Sequence, residues 1–330
     1  MDAPQSVLFS DAELEAAVRL QLDQVESLLR ESVKSSYPFI TETSRYLADA
    51  GGKRFRPLLV VLASQFGDPA SPAVAPAAVA IELTHLSTLY HDDVMDEATL
   101  RRGTPSANAR WDNTVAILTG DFLFARASEI TADLGTEATR ILARTIAVLC
   151  EGQIRETVGP GNGADPIEHY LSVVAEKTGS LIATSARLGA LLSGADPAAV
   201  EALTRYGQAI GVAFQLSDDL LDIASETGQS GKMPGTDLRE GIRTLPVLHV
   251  LAATDPADGR LVELLHADLT QPAAHAEALA LLRRHPAMQL ARTALGDYAA
   301  EARATLADLP DQPARAALDA LADFVLLRSG

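Results

Sequence analysis

One cysteine, Cys150, occurs in 330 residues. No disulfide can form within the chain, and a reducing compartment, the cytoplasm, is the expected setting. Aromatic residues make up only 5% and runs of β-branched residues are scarce, which argues against an all-β fold. Positive charge is in deficit: 27 Lys and Arg face 44 Asp and Glu, a formal net charge of −17. Nucleic-acid binders carry a basic footprint, so that function class is set aside. No stretch reaches about 18 apolar residues free of charge, so no transmembrane segment is expected. The opening MDAPQSVLFS has no basic n-region and does not read as a secretory signal. What is present, 47% hydrophobic and 22% charged residues, is an ordinary balance for a globular chain able to bury a large core.

Helical patterning dominates. Leu14, Val18, Leu22, Val25 and Leu29 recur at steps of three and four, one face of an amphipathic helix over residues 11–29. Residues 58–66 are apolar all round and predict a buried helix. Pro- and Gly-rich clusters at 67–76, 159–166, 193–197, 227–235 and 255–259 punctuate the remainder. Of these, 159–166 is the best linker candidate, yet it is short and the helical grammar is the same on both sides. The expectation is an all-α fold, a single domain over 1–330, with ten or more helices.

Two segments carry Asp-Asp-x-x-Asp inside apolar helical runs: Asp92, Asp93 and Asp96, and Asp218, Asp219 and Asp222. On a helix, Asp92 and Asp96 share a face, as do Asp218 and Asp222, and like charges at that spacing repel. Burying them is costly unless a cation compensates. Oxygen-only ligands suit a hard cation, and Mg²⁺ bridges carboxylates to substrate phosphates while keeping several waters. The alternative is a solvated acidic face. A zinc or redox site has no support, because the seven His form no HExxH pattern and the lone Cys has no partner.

Against the acidic background three basic groups stand out: GGKRFRP at 51–57, with Lys53 and Arg56; Arg101-Arg102-Gly103, five residues after Asp96; and the scattered Lys177 beside Thr178, Lys232, Arg239 and Arg243. Arg forks and Lys point charges are usual phosphate partners. Each group also reads as surface charge satisfying nearby acids. A metal-binding carboxylate pair next to arginines points to a diphosphate or triphosphate ligand.

Taken together, GGKRFRP (51–57), HLSTLYHDDVMDEATLRRG (85–103), EKTGSL (176–181), AFQLSDDLLD (213–222) and GKMPGTDLREGIRTLPVL (231–248) make the chain resemble the trans-isoprenyl diphosphate synthases, or polyprenyl synthetases. The resemblance implies an isoprenoid-synthase-type helical bundle with a deep central cavity, and a homodimer. It implies 1′-4 head-to-tail condensation of isopentenyl diphosphate with an allylic diphosphate. By the same resemblance, about three Mg²⁺ ions are held on the allylic diphosphate by Asp92, Asp96 and Asp218. Asp93, Asp219 and Asp222 take supporting roles. Arg101, Lys177 and Lys232 grip that diphosphate; Lys53, Arg56, His85 and Arg102 hold isopentenyl diphosphate; Thr178 and Gln215 line the reacting centre. One departure is Ile242, where the family often has a second lysine; Arg243 is adjacent, about 100° away if the segment is helical. A non-catalytic subunit or a helical binding protein is the alternative of another class, and two intact aspartate motifs weigh against it.

If residues 81–96 form one helix, Thr88, Thr84 and Ile81 lie on successive turns below Asp92, with Ser87 alongside. Short-chain members of the family carry a bulky aromatic near the positions of Ser87 and Thr88. Here both are small, which favours an open tunnel and a product of about C30 or longer, such as a quinone side chain; a C20 product is the alternative. Tyr90 lies off that stripe and reads as packing between helices.

Overall fold

The computed structural model describes residues 9–225, 234–253 and 255–328. These fold as sixteen α-helices and one minimal hairpin. The chain divides into two compact units: Met1–Ala147 with Leu181–Gly207 and Thr305–Leu318, and Val148–Ser180 with Gln208–Ala304 and Asp319–Gly330. The boundaries fall inside helices, and the 159–166 stretch separates nothing; it is a loop within the second unit.

The first unit opens with α1 (Ala12–Ser32), whose buried residues are Leu14, Val18, Leu22, Val25 and Leu29, the stripe expected from the sequence. Asp11 caps it, its carboxylate accepting from the Leu14 amide at 2.8 Å. Helix α2 (Pro38–Asp49) starts on a proline. Helix α3 (Phe55–Ser64) begins three residues before the expected 58 and is buried at every position except Arg56. Helix α4 (Val74–Met95) carries the first aspartate motif at its end. It is the centre of the unit: Val79, Ala80, Ile81, Leu83 and Leu86 are fully buried. A helix apolar all round must be covered on all sides, and α1, α3 and α6 (Asn113–Leu134) pack on it.

Between α4 and α6 stand β1 (Leu100–Arg101), β2 (Thr104–Pro105) and the short α5 (Ala107–Arg110). Arg102 and Gly103 link the strands with φ of 53° and 76°. Two successive left-handed residues are the signature of a two-residue primed turn, and only the second position has a glycine to make it easy. The RRG motif is therefore a tight hairpin. The rest of the unit comes from parts of α7 (Thr136–Val158), α9 (Ser180–Leu192) and α10 (Pro197–Ala224), together with Thr305–Leu318.

The second unit contains α8 (Pro166–Val174), a π-helical turn at Ala175–Gly179, and the end of α10 with the second aspartate motif. It continues through α11 (Thr236–Arg239), α12 (Leu245–Ala252), α13 (Gly259–Leu265) and α14 (Pro272–Leu282). Helix α15 (Ala287–Leu306) supplies residues to Ala304, and α16 (Pro313–Leu327) those from Asp319. Arg283 of the second unit donates to the carbonyls of Ile223 (2.7 Å) and Ser225 (2.6 Å), satisfying the end of α10 with a cation where the helix dipole favours one. No helix among the described residues is long and apolar enough to cross a membrane.

Candidate active site

In the first motif, Asp93 is fully buried, Asp92 half-buried and Asp96 exposed. The chain ends α4 here, the Asp96 amide donating to the Asp92 carbonyl at 2.8 Å. Asp93 faces inward and accepts from Arg101 of the hairpin. Burial pushes its carboxyl up, against the pull of that guanidinium. Asp96 follows Asp92 by about one turn, and both keep some solvent exposure.

The basic groups of the first unit gather beside this motif. Arg102 donates to the Leu47 carbonyl at 2.8 Å and to the Gly51 carbonyl, so the hairpin arginine holds the backbone of the GGKR loop. Arg54, at the start of α3 with φ 48°, does not face solvent. Its guanidinium donates to Glu26 at 2.9 Å, to the nearly inaccessible Glu82 of α4 at 2.8 Å and to the Ala48 carbonyl at 2.8 Å. Its neighbours differ: Lys53 is exposed and Arg56 half-buried. His85, on α4, is half-buried, and burial, then the positive charges of Arg56, Arg102, Arg54 and Arg101, depress its imidazole well below the ordinary value. At neutral pH the ring is uncharged and carries one N–H donor.

In the second motif the three carboxylates have three fates. Asp219 is buried and accepts from the Tyr170 hydroxyl and from Gln215 Nε2 at 2.8 Å. Burial is the main cause that raises its carboxyl to about 6. Asp222 accepts from the amides of Thr236 (3.1 Å) and Asp237 (3.0 Å) and so anchors the start of α11. Asp218, with its side chain 39% exposed, accepts from Arg328, the residue that follows α16. Thr178, on the π-helical turn, donates to Gln215 Oε1 at 3.0 Å, so Thr178, Gln215, Asp219 and Tyr170 form one chain of hydrogen bonds. Lys177, on the same turn, pairs with Glu156 of α7. A π-turn is a common device at functional positions because it alters which side chains share a face.

The sequence model of the family described as Polyprenyl synthetase matches residues 37–282. The chain belongs to the polyprenyl synthetase family. It is 51% identical over 321 residues to a nonaprenyl diphosphate synthase of Mycobacterium tuberculosis, covering 97% of this chain and 96% of the relative. Among solved structures it is similar to a geranylgeranyl pyrophosphate synthase from Corynebacterium glutamicum complexed with calcium and isoprenyl diphosphate (TM-score 0.88, 46% identity, 98% and 99% of the two chains). It is also similar to a decaprenyl diphosphate synthase from Rhodobacter capsulatus (TM-score 0.87, 37% identity, 96% and 99%).

The polyprenyl synthetase residues named from the sequence thus fall into two groups. In the first unit, Arg56, His85, Arg101 and Arg102 share one electrostatic neighbourhood, with Asp92 about two turns and Asp96, at the end of α4, about three turns beyond His85. In the second, Lys177, Thr178, Gln215 and Asp218 stand on two facing segments joined by the Thr178–Gln215 bond. Lys232 lies outside the described residues. Two expectations change. Ile242 and Arg243 are not helical: α11 stops at Arg239, and the Gly241→Leu238 and Ile242→Asp237 amide bonds close it as a Schellman motif. Arg243 is therefore not set off from Ile242 by a helical step of about 100°, and both residues are exposed. Ser87 is turned to α6, where its hydroxyl donates to the Gly120 carbonyl at 2.8 Å. Tyr90 packs as expected, fully buried with its hydroxyl donating to the Thr43 carbonyl of α2. Tyr170, Glu82 and Arg328 are not singled out by the sequence, and Arg54 only as part of GGKRFRP with no role of its own; each acts through a partner at least 28 positions away, which spacing along one helix does not reveal.

Among the described residues no three His, Cys, Asp or Glu side chains are grouped so as to hold a metal alone. The donor set nonetheless suits a hard divalent ion. It is oxygen-only, pairs like charges at Asp92 and Asp96, and leaves water and a phosphate ligand to complete the shell, as Mg²⁺ prefers. At Asp218 a guanidinium already sits where a cation is called for.

Proposed function

We propose that the protein is a prenyltransferase that joins isopentenyl diphosphate to an allylic diphosphate, 1′-4 and head to tail, making a long-chain all-trans polyprenyl diphosphate. The observation that carries the reading is the sorting of the aspartates. Asp93 and Asp219 are buried against Arg101 and Tyr170 and Asp222 holds backbone amides, whereas Asp92, Asp96 and the Arg328-paired Asp218 keep solvent exposure and are the three assigned to metal. Divalent ions, Mg²⁺ in this proposal and about three per site, neutralise charge on the departing diphosphate when bound.

The chain's own residues do the rest. Arg101, Lys177 and Lys232 hold the allylic diphosphate, while Lys53, Arg56, His85 and Arg102 hold isopentenyl diphosphate. Fixing both substrates supplies the entropic part of the rate. The allylic C1–O bond breaks with its electron pair going to diphosphate. The isopentenyl double bond attacks C1 through its C4, and a C2 proton leaves to the released diphosphate. Fixed guanidinium and ammonium groups stabilise the negative charge where it forms. Neutral His85 adds a hydrogen bond without adding charge.

Thr84, buried, and Thr88, half-buried, donate their hydroxyls back to the carbonyls of Ala80 and His85, both at 2.8 Å, which consumes the polar atom of each side chain. This supports an apolar wall below Asp92 in a deep cavity and a product beyond C20. A C20 product is the second reading, favoured by the likeness to the Corynebacterium glutamicum structure. A homodimer, a single functional domain and a cytoplasmic setting belong to the same proposal, the last resting on the lone Cys150.

The test is product analysis of purified protein with Mg²⁺, isopentenyl diphosphate and each of the C10, C15 and C20 allylic diphosphates. Products beyond C20 are expected. A stop at C20 keeps the chemistry and replaces the wall assignment, and absence of condensation with every primer refutes the proposal.

A further inference from the structure

Arg328 pairs with Asp218 across 110 positions of sequence, and two repeats of one geometry build the pairing. Phe214 lies four residues before Asp218 on α10, and Phe324 four before Arg328 at the end of α16, so each ring shares a helix face with one member of the pair. The guanidinium carbon stands 4.8 Å from the Phe214 centroid and 5.7 Å from that of Phe324. Both are within cation–π range. The Arg328 side chain is only 12% exposed, and its Nη1 is buried with no hydrogen-bond partner. The aromatic platform therefore holds the cation over the carboxylate, although the contact uses one nitrogen and falls short of a two-pronged fork.

We propose that Arg328 is an internal counter-ion of Asp218 that lowers the affinity of this carboxylate for a divalent ion until a diphosphate arrives. The inference rests on the reading of Asp218 as a metal ligand. A guanidinium stays charged throughout the accessible pH range, so deprotonation does not release it. Displacement needs either a competing cation or an anion that draws the guanidinium away. A diphosphate supplies the second and offers oxygens to the incoming metal as well. Metal and diphosphate binding are then coupled through one side chain. Coupling is reciprocal: whatever factor diphosphate adds to metal affinity, metal adds to diphosphate affinity.

The test is Mn²⁺ binding to the full chain, followed by the free-ion EPR signal, without and with inorganic pyrophosphate. The site counted is the one lost in Asp218→Asn. For metal alone, Arg328→Gln is expected to bind about tenfold tighter than the wild type, the scale of one partly exposed charge-assisted bond. The enhancement of Mn²⁺ affinity by pyrophosphate is expected to shrink by a similar factor. Phe324→Leu, which weakens the platform and keeps the charge, is expected to shift both quantities the same way by about threefold, and carries the test if Arg328→Gln does not fold. Equal or weaker Mn²⁺ binding in the variants overturns the inference, because a residue that merely orients Asp218 gives that sign. Condensation by the wild type is assayed in parallel. Normal condensation with unmoved Mn²⁺ affinity removes only the counter-ion role, whereas no condensation removes the prenyltransferase reading and leaves the Mn²⁺ result to stand on its own.

Discussion

Replacing Arg54 by methionine strands Glu82. That carboxylate is 3% exposed in its side chain, between the fully buried Ile81 and Leu83, and Arg54 is held over it at 2.8 Å. Glu26, the second acid on Arg54, is 27% exposed and recovers hydration when the guanidinium leaves. The cost therefore concentrates on Glu82. Leaving one member of a buried ion pair behind costs about 3–5 kcal/mol, whereas replacing both members by apolar groups of similar volume is often neutral. Met keeps the left-handed backbone strain that Arg54 already bears at φ 48°, so the comparison isolates the charge. Arg54→Met is expected to lower the melting temperature by about 6–20 °C, and Arg54→Met with Glu82→Leu to recover most of the loss. Calorimetry on the four proteins of the double-mutant cycle, following the transition of the first unit, measures the coupling. A single variant within about 1 kcal/mol of wild type, or a double variant no better than the sum of the singles, refutes the reasoning.

Asp92→Ala is expected to lower kcat by at least about 10²-fold and to abolish Mg²⁺-dependent pyrophosphate binding, read by calorimetric titration. Thr88→Phe is expected to shorten the product with folding intact, whereas Ser87→Phe, aimed at the Gly120 carbonyl, is expected to lose stability by about 1–3 kcal/mol; chain-length analysis and thermal melts separate the two. His85 titrates well below its unfolded value near 6.5, so the unfolded chain takes up the proton first as pH falls. The stability this group confers is present above about 6.5 and lost below it, and a His85→Asn variant is expected to show a flatter melting-temperature profile between pH 7.5 and 5.5. Tyr170→Phe removes a donor that pulls the Asp219 carboxyl down, so that group, already at about 6, is expected to rise further, as followed by the carboxyl infrared band across a pH titration.

Features that depend on spacing along one helix were readable in advance. The five buried positions of α1 and the shared face of Asp92 and Asp96 follow from a period of 3.6 and need no knowledge of the partner. The buried α3 was recognisable because an all-apolar run allows few alternatives, although its start at Phe55 depends on the GGKR loop. The unreadable part consists of pairings. Which of six aspartates turns inward is decided by Arg101 on a hairpin, Tyr170 on α8 and the amides of α11. Arg54 looked like one more member of a basic run, and only the position of Glu82, 28 residues on, makes it structural. The segment around Ile242 defeated a helical reading because one glycine, with φ 78°, closes the short helix just before it.

The π-turn at Ala175–Gly179 makes this stretch intolerant of changes in length. A π-turn holds one residue more than the α-turn it replaces, so deleting Ala175 or Glu176 lets the backbone ladder close as ordinary α-helix without breaking it. Nothing unfolds locally, yet Lys177 and Thr178 swing about 100° around the axis of α8 and leave Glu156 and Gln215 behind. Homologous chains aligned with a one-residue gap here would carry the same letters in the EKTGSL stretch and a different set of side chains pointing at the second motif.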